Sequence, residues 1–153
     1  MLQTRGRRRV VGGGVSKHRS LVDTLRQHPD IGLTTGADSD LMAAAESELE
    51  CRLPDELRQL YLASNGVFEK RGEWFVVWPL ASVVERNTFD WDLYPDDEER
   101  ADLVGFGDDG TGAPFCVRRS GIITEYLHVE PDRRIRGHPP RRVTQRVLVA
   151  VGF

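Results

Sequence analysis

The sequence predicts an α+β domain in which N-terminal helices pack on one face of a mostly antiparallel meander sheet. Segments with apolar residues at three- and four-residue spacing crowd the stretch 17–64, whereas short β-rich segments between Gly-, Asp- and Pro-bearing turns fill most of 67–136. Helices followed by a succession of strands, rather than strict alternation, point to an α+β arrangement. A chain of 153 residues that is 39% hydrophobic and 29% charged is long enough for one domain with a sizeable core.

Each element has its own signal. Over 17–27, Leu21, Val22 and Leu25 recur at helical spacing, and His28-Pro29-Asp30 stops the pattern because proline disfavours helix before it. Asp38-Ser39 offers a cap for a helix over 41–50, with Leu41, Ala44, Ala45 and Leu49 on one stripe and Glu46, Glu48 and Glu50 facing water. Leu53-Pro54 ends it. Pro54 then suits the first turn of a third helix, whose Leu57, Leu60 and Tyr61 form a stripe and whose Asp55 and Glu56 complement the N-terminal dipole. Asn65-Gly66 closes that helix, both residues tolerating a left-handed backbone.

Residues 67–69 and 73–78 read as a hairpin joined by Lys70-Arg71-Gly72, and Pro79 stops its second strand. Residues 80–87 read as a helical turn, and 88–102 as a long acidic loop with helical character over 96–101. Further strands are expected over 104–106, 114–118, 122–128 and 133–136.

Composition narrows the function classes. The longest apolar runs, 74–81 and 147–151, fall short of the ~18–20 residues that span a bilayer, so no membrane segment is expected. Arg5, Arg7, Arg8 and Arg9 precede Gly12-Gly13-Gly14 without the apolar centre of a secretory signal, and a cytoplasmic location follows. Residues 1–15 read as a disordered basic arm, with translation starting near Val15 or RNA binding by the arm as alternatives; 16–132 read as one domain and 133–153 as an Arg-rich terminal segment. Cys51 and Cys116 read as buried thiols, not as a disulfide framework.

The formal net charge of −3 conceals a segregation. Residues 1–14 carry four arginines and 133–153 carry six, both without acids, leaving 11 basic and 24 acidic residues between them, a net of −13. Such a middle repels nucleic acid and favours a basic protein partner.

Phe106-Gly107-Asp108-Asp109-Gly110-Thr111-Gly112 is the most motif-like stretch. It lacks the glycine register and following helix of a phosphate cradle, and Arg119 stands where a calcium loop starting at Asp108 needs its glutamate. A tight turn between strands is the expected reading. His18, His28, His128 and His138 have no metal-ligand spacing, so neither metal nor cofactor is expected. His128 beside Glu125 and Glu130 permits acid–base chemistry, and Asp108, Asp109 and His128 permit a hydrolase, but no spacing demands either, and no activated nucleophile is identifiable. No catalytic residue is nominated.

The acidic run reads either as a solvated face or as a docking surface for a protein partner; Phe89, Trp91 and Tyr94, interleaved with its charges as anchors with some of them in the core, tilt the reading towards docking. The candidate contacts are Asp90, Trp91, Asp92, Tyr94, Asp96, Asp97, Glu98 and Glu99.

In order, Glu46 to Leu53-Pro54, the helix to Asn65-Gly66, the hairpin ending at Trp78, the 106–112 turn and the strand to His128 resemble the SUKH superfamily, which includes the Smi/Knr cell-wall-regulator family. The resemblance covers about residues 40–130. It implies an α+β, non-enzymatic domain and, in bacteria, an immunity protein that neutralises a polymorphic toxin, often a nuclease. It marks Leu53, Pro54, Asn65, Gly66, Trp78, Phe106, Gly107, Asp109, Gly110 and Gly112 as fold determinants. A basic toxin domain is the expected partner, with no nucleic acid bound by the core. The alternatives are a regulatory scaffold for an endogenous partner, as in fungal relatives, and nucleic-acid binding through the Arg-rich ends. The family closes with a tryptophan-bearing helix, but His138-Pro139-Pro140-Arg141-Arg142 stands there, and a frameshift after about residue 130 is the expected cause.

Overall fold

The computed structural model describes residues 20–112 and 114–119, together with the backbone of Tyr126–Val129 and Ile135–Gly137. The expected arm over 1–15 and the residues after 137 lie outside the described residues. The elements run α1 (Leu21–Gln27), β1 (Ile31–Leu33), α2 (Ser39–Leu49), α3 (Asp55–Ala63), β2 (Val67–Glu69), β3 (Trp74–Val77), α4 (Leu80–Leu93), α5 (Glu98–Ala101), β4 (Leu103–Asp108), β5 (Pro114–Arg118), β6 (Tyr126–Val129) and β7 (Ile135–Gly137). The strands form one sheet in sequence order, every neighbouring pair antiparallel. The α+β meander is as expected.

Local chemistry starts the helices. Ser20 Oγ accepts from Asp23 N at the start of α1, and Asp38 Oδ1 accepts from Leu41 N at 2.7 Å at the start of α2. Glu50, at φ 50°, closes α2 in the left-handed region. In α3 the predicted stripe of Leu57, Leu60 and Tyr61 is buried. The Tyr61 hydroxyl donates to the Trp78 carbonyl at 2.6 Å, so its polar end is satisfied inside the core.

Three expectations are corrected, and one strand is added. The buried stripe of α2 is Met42, Ala45 and Leu49, while Leu41 and Ala44 are exposed. Glu46 does not face water: its Oε1 accepts from Leu53 N at 3.0 Å, where the chain turns back after α2, and lies 2.9 Å from Arg58 Nε. Residues 31–33 form a strand, β1, that three residues of pattern are too short to announce; it is fixed by pairing Ile31 with Glu69 and Leu33 with Val67. Residues 88–93 are helix, not loop, because α4 runs 14 residues.

The inward face of α4 is Leu80, Val83, Val84, Asn87 and Trp91, a helical spacing hidden in the sequence by the asparagine at its centre. Asn87 is 7% exposed and fully engaged. Its Nδ2 donates to the Val83 and Gly105 carbonyls at 2.7 and 2.8 Å, and its Oδ1 accepts from Gly105 N at 2.8 Å. Strand β3 pairs with β4 at Val77 and Gly107, Trp78 N donates to the Phe106 carbonyl at 2.8 Å just beyond, and the Asn87 side chain takes over at Gly105, tying α4 to β4.

The last two strands, β6 and β7, overlap the expected 122–128 and 133–136, whose residues 122–125 and 133–134 lie outside the described residues; His128 stands opposite Phe115 on one side and Arg136 on the other.

Candidate protein-interaction surface

Helix α4, the turn after it and α5 form the acidic segment. Pro79 begins α4 without a side-chain cap of its own, and Asn65 Oδ1 supplies the missing acceptor to Leu80 N at 2.9 Å. Asp97 caps α5 by accepting from Arg100 N at 3.0 Å.

The eight nominated residues divide into two groups. Asp90, Trp91, Tyr94 and Asp97 are engaged within the fold. Arg100 Nη1 lies 2.9 and 3.1 Å from the two Asp90 oxygens, Arg100 Nε lies 3.5 Å from Asp97, and the guanidinium stands 4.3 Å from the Tyr94 ring centroid. Trp91 packs partly against the core, donates through Nε1 to the Leu103 carbonyl at 3.3 Å and carries the Arg119 guanidinium 4.3 Å from its ring centroid. Arg119 in turn reaches the Ala101 carbonyl at 3.2 Å and Glu50 at 2.6 Å, joining α5, α2 and the end of β5. These two arginines hold the segment together.

Asp92, Asp96, Glu98 and Glu99 are exposed and have no ion pair among the described residues. Of the expected aromatic anchors, Trp91 and Tyr94 are half-buried and engaged within the fold. The large apolar side chains that α4 presents to solvent are Phe89 and Leu93, 68% and 55% exposed. Phe89 was among the expected anchors. Leu93 was missed, and its one-turn spacing from Phe89 is the signal that a full-length helix would have exposed.

The residues marked by the family resemblance have identifiable structural roles. Leu53 is buried, Pro54 precedes α3, Asn65 caps α4 from across the fold, and Gly66 sits at φ +110°. Trp78 Nε1 donates to Asp108 Oδ2 at 3.0 Å, its ring packs beside Gly105, and Arg86 lies 4.5 Å from the ring centroid. Phe106 is buried against Phe115 at 6.0 Å between centroids. A Cβ on Gly107 would lie 1.9 Å from the Val76 carbonyl oxygen, so no other residue fits between β3 and β4 there. The turn beyond closes on itself: Asp108 accepts from Gly110 N at 2.7 Å, and Asp109 accepts from Thr111 N and Oγ1 at 3.0 and 2.6 Å. Gly110 and Gly112 adopt φ +90° and +84°.

Other chemistry is sparse. Cys116 is buried and Cys51 half-buried, both free. Among the described residues, no three His, Cys, Asp or Glu side chains come together as a metal site. None of the described helices is long and apolar enough to cross a membrane.

Helices joined to a seven-stranded antiparallel meander, with an acidic helix–turn–helix inserted between β3 and β4, define an α+β domain with an outward charged face. The chain belongs to the SMI1 / KNR4 family (SUKH-1), whose model matches residues 36–137, about two thirds of the sequence. No curated protein matches it.

Proposed function

We propose that this protein is a non-enzymatic, cytoplasmic immunity-type domain that binds a polymorphic bacterial toxin and occludes its working cleft. The observation that carries the reading is the set of exposed carboxylates on α4–α5 without an ion pair among the described residues, displayed by a member of the SMI1 / KNR4 family (SUKH-1), whose resemblance implies such a role. A toxin that acts on nucleic acid needs a cationic cleft, and an inhibitor with a net charge of −13 over residues 15–132 complements it. Arg100 and Arg119 support the reading by fixing the segment before any partner arrives, which lowers the ordering cost of association.

The test begins with the neighbouring genes. A large secreted protein with a basic C-terminal domain encoded beside this gene supplies the probe. Co-expression of that domain with the full chain is expected to restore growth and yield a complex whose association slows as salt rises. Continued killing with no complex overturns the proposal, and so does an association rate indifferent to salt.

A further inference from the structure

Phe89 and Leu93 stand one helical turn apart, so they form a continuous apolar ridge on the outer side of α4. Glu85, one turn before Phe89, and Asp92, three residues after it, share that face and are exposed. A single exposed leucine is ordinary; a phenylalanine and a leucine stacked on one turn and flanked by carboxylates have the anatomy of an interface core with a charged rim.

Charge selects the occupant. Over residues 80–102 the basic side chains are Arg86, which lies over Trp78, and Arg100, which is held by Asp90 and Asp97. Glu85, Asp92, Asp96, Glu98 and Glu99 have no cationic partner among the described residues. A second copy docking ridge to ridge would bring these carboxylates against their own equivalents, which opposes a self-interface. A partner whose apolar socket is rimmed by Lys or Arg satisfies both components.

We infer that the Phe89–Leu93 ridge is the binding hot spot of this protein, inserting into an apolar socket on a cationic protein domain, while Glu85, Asp92 and Asp96 set the association rate. This rests on the protein-binding reading above and deepens it by naming the residues that retain the partner. It moves the anchors from Trp91 and Tyr94 to side chains that are free to be buried.

The probes are a helical leucine–lysine peptide with one apolar face, and poly-L-lysine as a carrier of charge alone. The full chain is expected to bind the leucine–lysine peptide at least about tenfold more tightly than poly-L-lysine. The double variant Phe89→Ser/Leu93→Ser is expected to remove that preference while keeping its helix content and thermal midpoint, since both side chains are exposed. The triple variant Glu85→Gln/Asp92→Asn/Asp96→Asn is expected to slow association with both probes. Unchanged peptide affinity in the serine variant overturns the inference. A concentration-dependent dimer that the serine variant abolishes overturns it in favour of a second copy. A gain in peptide affinity of about tenfold on Arg141→Gln/Arg142→Gln/Arg146→Gln overturns it in favour of the chain's own terminal segment. In the co-expression assay, protection retained by the serine variant refutes the ridge but leaves the immunity reading standing. Absence of protection by the unaltered chain refutes that reading, while the peptide measurement still decides the ridge.

Discussion

The side chain of Asn87 and the backbone of Gly105 exchange two hydrogen bonds, each 2.8 Å long, inside the core. A helix thereby pairs with a strand through one amide group, and a third bond to Val83 O leaves the Asn87 Nδ2 fully used. Asn87→Ala would orphan both polar groups of Gly105, at roughly 1–3 kcal/mol for each one left unsatisfied. Urea unfolding is expected to show a lower midpoint, and amide exchange at Gly105 is expected to accelerate.

Gly107 tests the close approach of β3 and β4. Gly107→Ala sets a methyl against the Val76 carbonyl, which backbone can relieve only by separating the strands. A loss of about 3 kcal/mol or more, or failure to accumulate as folded protein, is expected. Leu62→Ala, at a side chain 48% exposed, is the comparison and is expected to shift the unfolding midpoint far less.

The Arg119 cluster predicts unequal partners. The Glu50 side chain is 77% exposed against 22% for Arg119, so Glu50→Gln is expected to change stability by less than about 0.5 kcal/mol despite the 2.6 Å contact. Arg119→Ala also uncovers the Trp91 ring and frees the Ala101 carbonyl, and about 1–2 kcal/mol is expected. A double-mutant cycle measured by urea unfolding checks the small coupling.

Burial pushes the Cys116 thiol up to about 12 from its ordinary 9.0, with Asp90 adding to the effect and Arg100 opposing it. The native state therefore keeps its proton while the unfolded chain loses it, and stability must fall as pH rises from about 9 towards about 12. Below that window the thiol adds no pH dependence. Burial also raises the Tyr61 hydroxyl above its ordinary 10.0, so it contributes in the same direction at higher pH. Unfolding midpoints against pH are expected to decline above about 9, and Cys116→Ala is expected to remove the earliest part of that decline. Native Cys116 is also expected to resist thiol reagents that modify half-buried Cys51.

The turn over 106–112, helix α3 and strand β5 were legible because their signals are local: glycines and aspartates at a reversal, a Pro54 start with Leu57, Leu60 and Tyr61 in phase, and an apolar run between turn residues. Helix α4 was only half legible. Its stripe is broken by Asn87, a polar residue whose burial makes sense only when Gly105 stands opposite. The charge of the candidate surface was visible, but its division was not, since Arg100 and Arg119 neutralise or cover some of the nominated residues from positions fixed by folding.

The sequence by itself determined the order of most helices and strands, the family, and the segregation of acid from base, because caps, periodicity, turn residues and charge act over a few neighbouring positions. Tertiary structure alone decided that Glu46 turns inward, that residues 31–33 become an edge strand, and that Phe89 and Leu93 rather than Trp91 and Tyr94 face solvent. Those outcomes depend on partners in other elements, from Leu53 and Arg58 for Glu46 to Glu69 for Ile31. A side chain is buried when a distant acceptor, carbonyl or guanidinium compensates its desolvation, and only the folded chain brings that group within reach.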